Sequence, residues 1–388
     1  MAVTDRSNDG SEYDLSHGSV IVDDTLTVLP QLPENEFHAI VCDPPYNFDG
    51  GFMQQQWDDI GTAKEYQQWC EDWANKALHT LRPGGHLIAF SGNRSHHRLM
   101  SGVEDAGYEI RDTITWHYGE GMPKGARLST WLDDEHVDQW GDWRANLKPA
   151  TEFAVLARSP LGESSATRNQ VEWGVGNLNV ESCRIGYVSE SDKPRSQKQH
   201  DIRNGGVDEG NRLNPSASGR ETEYLEDEVY EADDDGRFPA NLALDPVMAE
   251  VMDLQSGERQ GCSPHTIDDS GSRDVLDDGG LGETGPRLEG YDDSGGASRF
   301  FYCAKPSKSE KTHDGEVEND HSTVKPIDLM EWLIKMVTAD GQRVLDPFLG
   351  SGTTMLAADN VSRECVGIER DDEYAEIARR RWDVHACN

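Results

Sequence analysis

Arg343-Val-Leu-Asp346-Pro-Phe-Leu-Gly350-Ser-Gly352-Thr-Thr354 is the stretch that decides the fold. Arg343–Asp346 reads as a short strand, the glycines as a tight turn, and residues 353–360 as a helix. Glycines let a ligand approach the backbone closely, and a helix N-terminus offers N–H groups. No Gly-Lys-Ser/Thr follows, so this is not a Walker loop. The next strand, Cys365–Glu369, ends in a carboxylate seventeen residues after Gly352. A carboxylate at that place can accept hydrogen bonds from ribose hydroxyls. A lone G-x-G would be only a turn, but strand, glycine turn, helix and terminal acid together read as a pocket for an adenosyl cofactor. Its candidate residues are Asp346, Pro347, Phe348, Gly350, Ser351, Gly352, Thr353 and Glu369.

A second motif, Asp43-Pro44-Pro45-Tyr46, ends the predicted strand His38–Cys42. Consecutive prolines stiffen the backbone and remove N–H donors, leaving the Pro44 carbonyl free to face a ligand. An ionised Asp43 is acceptor-only. Two acceptors converging on an amino group would draw its hydrogens and localise its lone pair on nitrogen. Tyr46 offers a face on which a planar base can stack. The plain alternative for the tetrapeptide alone is a rigid loop.

Working outward, strands are predicted at Val20–Val22, His86–Phe90, 108–117, 152–157 and Phe300–Cys303, with Arg82–Gly85 as a turn. Helices are predicted at 64–81, near 326–338 and at about 371–382. This alternation indicates an α/β sheet. Residues 1–13 read as a flexible tail, 14–160 as one half of the fold and 299–388 as the other. Between them, 161–298 loses apolar periodicity and gains Gly, Ser, Asn and Asp, and 221–235 carries nine carboxylates and no base. That segment reads as an irregular insert, partly disordered near 187–236.

Composition sets further bounds. The 388 residues include 36 basic and 73 acidic side chains, a net charge of −37, and 35% are hydrophobic. The N-terminus is polar and acidic, and no apolar run reaches the ~18–20 residues that span a bilayer, so the expectation is a cytoplasmic protein without a membrane partner. Seven scattered cysteines form no C-x-x-C pair, and His96, His97 and His117 lack ligand spacing, so no metal site is expected. Trp69 and Trp73 at helical spacing read as core, and Arg379–Arg381 as cations near a helix C-terminus. So acidic a chain repels itself in dilute salt, and about 1 M salt screens that repulsion within ~3 Å. With 25 arginines against 11 lysines, the charge reads as that of a salt-accumulating halophile, an archaeon or its virus. On that reading the unfolding midpoint rises steeply between 0.1 M and 3 M salt. Full stability at low salt would instead mark an acidic mesophilic protein.

Taken together, the two motifs make the chain resemble the beta group of S-adenosyl-L-methionine-dependent DNA amino-methyltransferases. Asp43–Tyr46 is similar to that family's catalytic motif, Asp346–Thr354 to its cofactor motif, and their order to the permuted beta group. Asp24 matches the acid that contacts the cofactor's adenine. His321-Ser-Thr323-Val-Lys325-Pro326 resembles the H-P-T-x-K-P box beside the cofactor, with Ser322 in place of proline. The resemblance covers roughly 14–160 and 299–385, and in the middle only pieces such as Trp173–Ile185 and Arg237–Leu242.

The resemblance implies a Rossmann-like, doubly wound, mostly parallel sheet of the class I methyltransferase type, interrupted by a target-recognition insert. It implies methyl transfer from S-adenosyl-L-methionine to the exocyclic amine of a base flipped from double-stranded DNA. Asp43, Pro44, Pro45 and Tyr46 would be catalytic, and Asp24, Thr323 and Lys325 would join the cofactor residues. Asp at the first motif position favours adenine N6, with cytosine N4 as the alternative. A cytosine-C5 mechanism needs a Pro-Cys nucleophile, and the chain has no such dipeptide. RNA or protein methylation and an inactive DNA-binding module are the rival classes. The family leaves a restriction endonuclease partner and a homodimer both open. Candidate phosphate contacts are Arg94–Arg98 and Lys193, Arg195, Lys198 and Arg203.

Overall fold

The computed structural model describes residues 5–6, 12–15, 17–48, 56–119, 121, 126–193, 195–197, 229–231, 235–260, 293–304, 317 and 324–387. Its strands are β1 (Asp5–Arg6), β2 (Glu12–Leu15), β3 (Gly18–Val22), β4 (Phe37–Cys42), β5 (Leu81–Ser91), β6 (Glu109–His117) and β7 (Thr151–Arg158). They continue with β8 (Arg195–Gln197), β9 (Val229–Glu231), β10 (Leu242–Leu244), β11 (Arg259–Gln260), β12 (Ser294–Gly295), β13 (Tyr302–Cys303), β14 (Arg343–Asp346) and β15 (Glu364–Glu369). The helices are α1 (Thr25–Val28), α2 (Ala63–Leu78), α3 (His96–Asp105), α4 (Asp134–Trp140), α5 (Ala166–Trp173), α6 (Pro246–Ser256), α7 (Ile327–Val337), α8 (Thr353–Asn360) and α9 (Asp372–Cys387).

Eleven strands form one sheet in the order β1-β2-β3-β15-β14-β4-β5-β7-β6-β10-β13. From β3 to β5 every pair is parallel; β7 runs antiparallel between β5 and β6. Strand alternation explains the two layers. Ala39 and Val41 of β4, Ile88 and Phe90 of β5, and Ala154 and Leu156 of β7 face a core shared with α7, α8 and α9. Ile40 and Cys42, Leu87 and Ala89, and Val155 and Ala157 face the opposite core, with α2 and α3. All six residues of β4 are buried, which is why Ala39–Cys42 reads as an apolar run rather than an alternating one. Each such buried Leu or Ile contributes about 1.5–3 kcal/mol. The expected doubly wound, mostly parallel α/β sheet is therefore the one observed. Among the described residues no helix is long and apolar enough to cross a membrane.

Helix α2 shows why the sequence was legible here. Tyr66, Cys70, Trp73, Ala74 and Ala77 form its buried stripe, and Thr62 and Glu65 close a capping box at its start. Elsewhere the structure departs from the sequence reading. Arg82–Gly85 is not a separate turn but a bulge within β5: Phe37 pairs with Leu81, and Ala39 already pairs with His86. Helix α3 contains His96 and Arg98, which the sequence reading left outside any helix. His96 bonds Ser91 and stacks on Phe153, and Arg98 donates to Gln67.

The chain divides into two compact units. The sheet belongs to the first, made of Met1–Arg184, Phe238–Val251 and Phe301–Asn388. Composition groups 161–184 and 238–251 with the insert, yet both segments lie in this unit. Two physical reasons hid them. Asn169, fully buried, anchors the first by polar bonds, accepting from the N–H groups of Gly162 and Glu163 and donating to the carbonyls of Pro83 and Val175. The second enters the sheet through the three residues of β10, too short to show a period.

The second unit is Ile185–Arg237 and Met252–Phe300. Strand β8 pairs with β9, and β11 with β12. Its buried centre is ionic: Arg237 lies 2.7 Å from Asp192 and 3.2 Å from Asp293, and Arg299 lies 3.1 Å and 3.3 Å from the same two acids. Such a set yields little net stability, but losing one partner would cost about 3–5 kcal/mol. Most of 221–235 lies outside the described residues, as do Lys198 and Arg203.

Candidate active site

Three loops meet where neighbouring parallel strands end. Asp43–Tyr46 leaves β4, residues 347–352 leave β14, and Glu369 closes β15. The C-terminal edge of a doubly wound sheet is where ligands bind. One cavity there is lined by Asp24, Asp43, Pro44, Pro45, Tyr46, Lys325, Asp346, Pro347, Phe348, Gly350, Ser351, Thr353 and Glu369, among others. Gly352 stands behind it as the N-cap of α8, and Thr323 lies outside the described residues.

The glycine loop is held from within. Gly350 and Gly352 have φ of 54° and 86°, the left-handed region that favours glycine. The Phe348 N–H donates to Asp346 at 2.9 Å, the Gly350 N–H to Glu369 at 2.7 Å and the Gly352 N–H to the Leu349 carbonyl at 3.1 Å. These three loop N–H groups are therefore engaged by the chain itself. Thr25 donates to the Pro347 carbonyl, and Asp24 caps α1 beside it, accepting from the Leu26 N–H. Phe348 packs against Trp69 and Trp73 with ring centroids 5.4 Å and 5.3 Å away.

Arg381 is a residue the sequence reading placed differently. Helix α9 runs on to Cys387, so Arg379–Arg381 sit in its middle. Arg379 and Arg380 pair with Glu376, whereas Arg381 is fully buried and donates to the Ser351 carbonyl at 2.6 Å and to Thr353 at 3.1 Å.

The Asp43 side is a compact ionic cluster. Lys325 Nζ lies 2.5 Å from Asp43 Oδ2 and 3.1 Å from Glu152 Oε2. The Tyr46 hydroxyl lies 2.7 Å from Asp43 Oδ1, 3.0 Å from Glu152 Oε2 and 3.1 Å from Lys325 Nζ. Burial pulls the Lys325 pKa down, but the Asp43 and Glu152 carboxylates outweigh it and hold the ammonium above the usual lysine range. Behind the motif, the buried carboxylate of Asp58 accepts from the backbone N–H groups of Tyr46, Asn47 and Phe48, and Tyr66 donates to the Pro45 carbonyl. Glu152, Asp58 and Tyr66 carry no motif of their own. The only signal for Glu152 is an acid at the head of the apolar run Phe153–Ala157.

The charged lining is chiefly acidic: Asp24, Asp43, Asp58, Glu152, Asp346, Glu369 and Asp371 stand against Lys325 and Arg370. It would repel a phosphate and suits a ligand bearing hydroxyls and positive charge. Burial pushes the Asp346 carboxyl up to about 7; the Asp43 and Glu369 charges add to the rise, and bonds from Thr354 and the Phe348 N–H oppose it. A carboxyl raised on folding contributes stability that is fully present below its unfolded pKa near 4 and is lost as pH rises through 7. Asp346→Asn, which cannot ionise, is therefore expected to gain on the unliganded wild type from pH 4.5 to pH 7.5. Paired thermal melts check this, and a constant difference in Tm would contradict it.

The chain matches the family described as DNA methylase over residues 37–380. It is 21% identical to the type II methyltransferase M.HindIII of Haemophilus influenzae over 403 residues, covering 94% of this chain and 95% of that protein. It is 46% identical to M2.DpnII of Streptococcus pneumoniae over 64 residues, 16% of this chain and 24% of that one. Among solved structures, the cytosine-N4-specific PvuII DNA methyltransferase aligns with a TM-score of 0.48 and 14% identity, covering 96% of this chain and 92% of that one. TTHA0409 from Thermus thermophilus, complexed with S-adenosyl-L-methionine, aligns with 0.43 and 17%, covering 95% and 94%. A family match running from the strand before Asp43 to the last helix shows that this chain belongs to the N6/N4 DNA methylases.

Proposed function

We propose that this DNA methylase transfers the methyl group of S-adenosyl-L-methionine to adenine N6 of a specific site in double-stranded DNA. The observation that carries the reading is one cavity shared by the Asp43 carboxylate, the glycine loop that follows β14 and Glu369 at the end of β15. The acidic lining fits the cofactor, whose sulfonium and amino group are cationic and whose ribose carries hydroxyls. Asp24, Phe348 and Glu369 would hold it, and bound there it supplies an activated methyl group.

This chain's own residues do the rest. Asp43, with the Pro44 carbonyl, accepts hydrogen bonds from the exocyclic amine and aims its lone pair. Tyr46 offers its ring to the flipped base. Nitrogen is the nucleophile, so orientation and charge placement carry the rate and no covalent intermediate forms. Cytosine N4 is the second reading, because the same two acceptors serve either amine. Nucleoside mass spectrometry on DNA from a methylation-free host expressing the protein separates them. N6-methyladenine is expected. N4-methylcytosine would keep the chemistry and overturn the base, and no modified base from folded, cofactor-binding protein would overturn both.

A further inference from the structure

The buried Lys325 lines the same cavity as the candidate cofactor residues, and its ammonium reaches the Asp43 side of it. An ammonium has three N–H donors. Here three acceptors surround it: Asp43 Oδ2 at 2.5 Å, Glu152 Oε2 at 3.1 Å and the Tyr46 hydroxyl oxygen at 3.1 Å. The aliphatic stem is covered too, since the lysine side chain is 6% exposed and Nζ lies 5.0 Å from the Phe90 ring centre and 5.4 Å from that of Tyr46. Tyr46 has one hydroxyl proton and two carboxylates to receive it, at 2.7 Å and 3.0 Å. Lys325 therefore stands between two acids and fixes both members of the base-binding motif that carry side-chain polar atoms.

We infer that Lys325 and Glu152 form a charge clamp on Asp43, acting as positioning residues that hold its carboxylate aimed. The inference rests on the proposed role of Asp43 as acceptor for the substrate amine. Lys325 places its positive charge against Asp43, and Glu152 shares the same ammonium. The other titratable groups around the cluster are Tyr46 on the same loop, Asp58 behind that loop, Cys42 at the end of β4, Asp346 at the end of β14 and Tyr118 after β6. None of them is a cation, so among these neighbours only Lys325 brings positive charge to Asp43. The two clamp residues must then act in opposite directions. Removing the ammonium leaves two carboxylates sharing one tyrosine proton, and one of them takes up a proton more readily. Neutralising Glu152 leaves the ammonium to Asp43 alone.

The test is a carboxyl-carbon NMR titration of full-length protein carrying carbon-13 aspartate, with the Asp43 signal assigned by its absence in Asp43→Asn. Lys325→Met is expected to raise the Asp43 midpoint by about one pH unit or more, Glu152→Gln to lower it, and Lys325→Arg to restore it. The acid limb of the rate profile for methylation of unmodified genomic DNA should move in the same senses. S-adenosyl-L-methionine affinity, measured by calorimetry, should change less than threefold in Lys325→Met. Shifts of the same sign, no shifts, or a tenfold loss of cofactor affinity in Lys325→Met would overturn the clamp. If Lys325→Met fails to fold, an unmoved or raised midpoint in Glu152→Gln still overturns it. Opposed shifts in a protein that methylates no DNA would leave the clamp standing and remove the proposed function instead.

Discussion

Asp43→Asn is expected to lower the rate of methyl transfer by about 10²–10³-fold while leaving S-adenosyl-L-methionine affinity within about threefold of wild type. The substitution keeps the shape of the side chain and removes its charge. The amide can still accept from Lys325 or Tyr46 through one oxygen, so the backbone of the Pro44-Pro45 turn has no reason to move. What it cannot do is present two acceptor oxygens to an amine while an ammonium sits 2.5 Å away. Its NH2 group would face either Lys325 or the Tyr46 hydroxyl with a donor. Asp43 follows β4 and the glycine loop follows β14, so the loss should appear in turnover and not in cofactor binding. Single-turnover transfer from labelled cofactor, beside calorimetry, reads both. Activity within threefold of wild type would remove Asp43 from the chemistry. A parallel loss of cofactor affinity would mean that the substitution disturbs the cavity as a whole.

How far the site could be read from the chain depends on how each residue acts. Asp43 and the glycine loop act through backbone shape, and backbone shape needs proline and glycine at fixed spacing, which leaves a motif. Glu152, Asp58 and Arg381 act through side chains arriving from β7, from the 3-10 turn Gln56–Asp58 and from the middle of α9. Their partners are 106, 12 and 30 residues away in sequence, so no local period marks them. Lys325 shows the intermediate case: its box was recognisable, but its partner at 282 residues' separation was not. The same distinction governs the fold. Apolar runs such as β4 and the stripe of α2 announce themselves. Segments 161–184 and 238–251 are tied in by Asn169 and a three-residue strand, where composition suggests an insert.

Gly352→Ala tests whether the glycine loop is shaped by strain that only glycine escapes. At φ 86° a side chain is strained by about 1 kcal/mol or more. A Cβ built there would lie 2.9 Å from the Ala378 Cβ and 3.1 Å from its Cα, and relieving that overlap costs about 1–3 kcal/mol more. The two terms can be separated. Gly341 has φ 73° and nothing within 4 Å of where a Cβ would stand, so Gly341→Ala carries the backbone term alone. It should cost about 1 kcal/mol and leave cofactor affinity unchanged. Gly352→Ala should cost about 2–4 kcal/mol in urea unfolding and weaken S-adenosyl-L-methionine binding at least tenfold, because α9 is pushed away just where Arg381 grips Ser351 and Thr353. Ala378→Gly placed on Gly352→Ala removes the nearest contact, and the pair should recover about half of the lost stability, less than all because the backbone strain and the 3.1 Å approach remain. If Gly352→Ala costs no more than Gly341→Ala, then α9 yields freely, and the contact between Arg381 and the loop cannot be what sets the shape of the cavity.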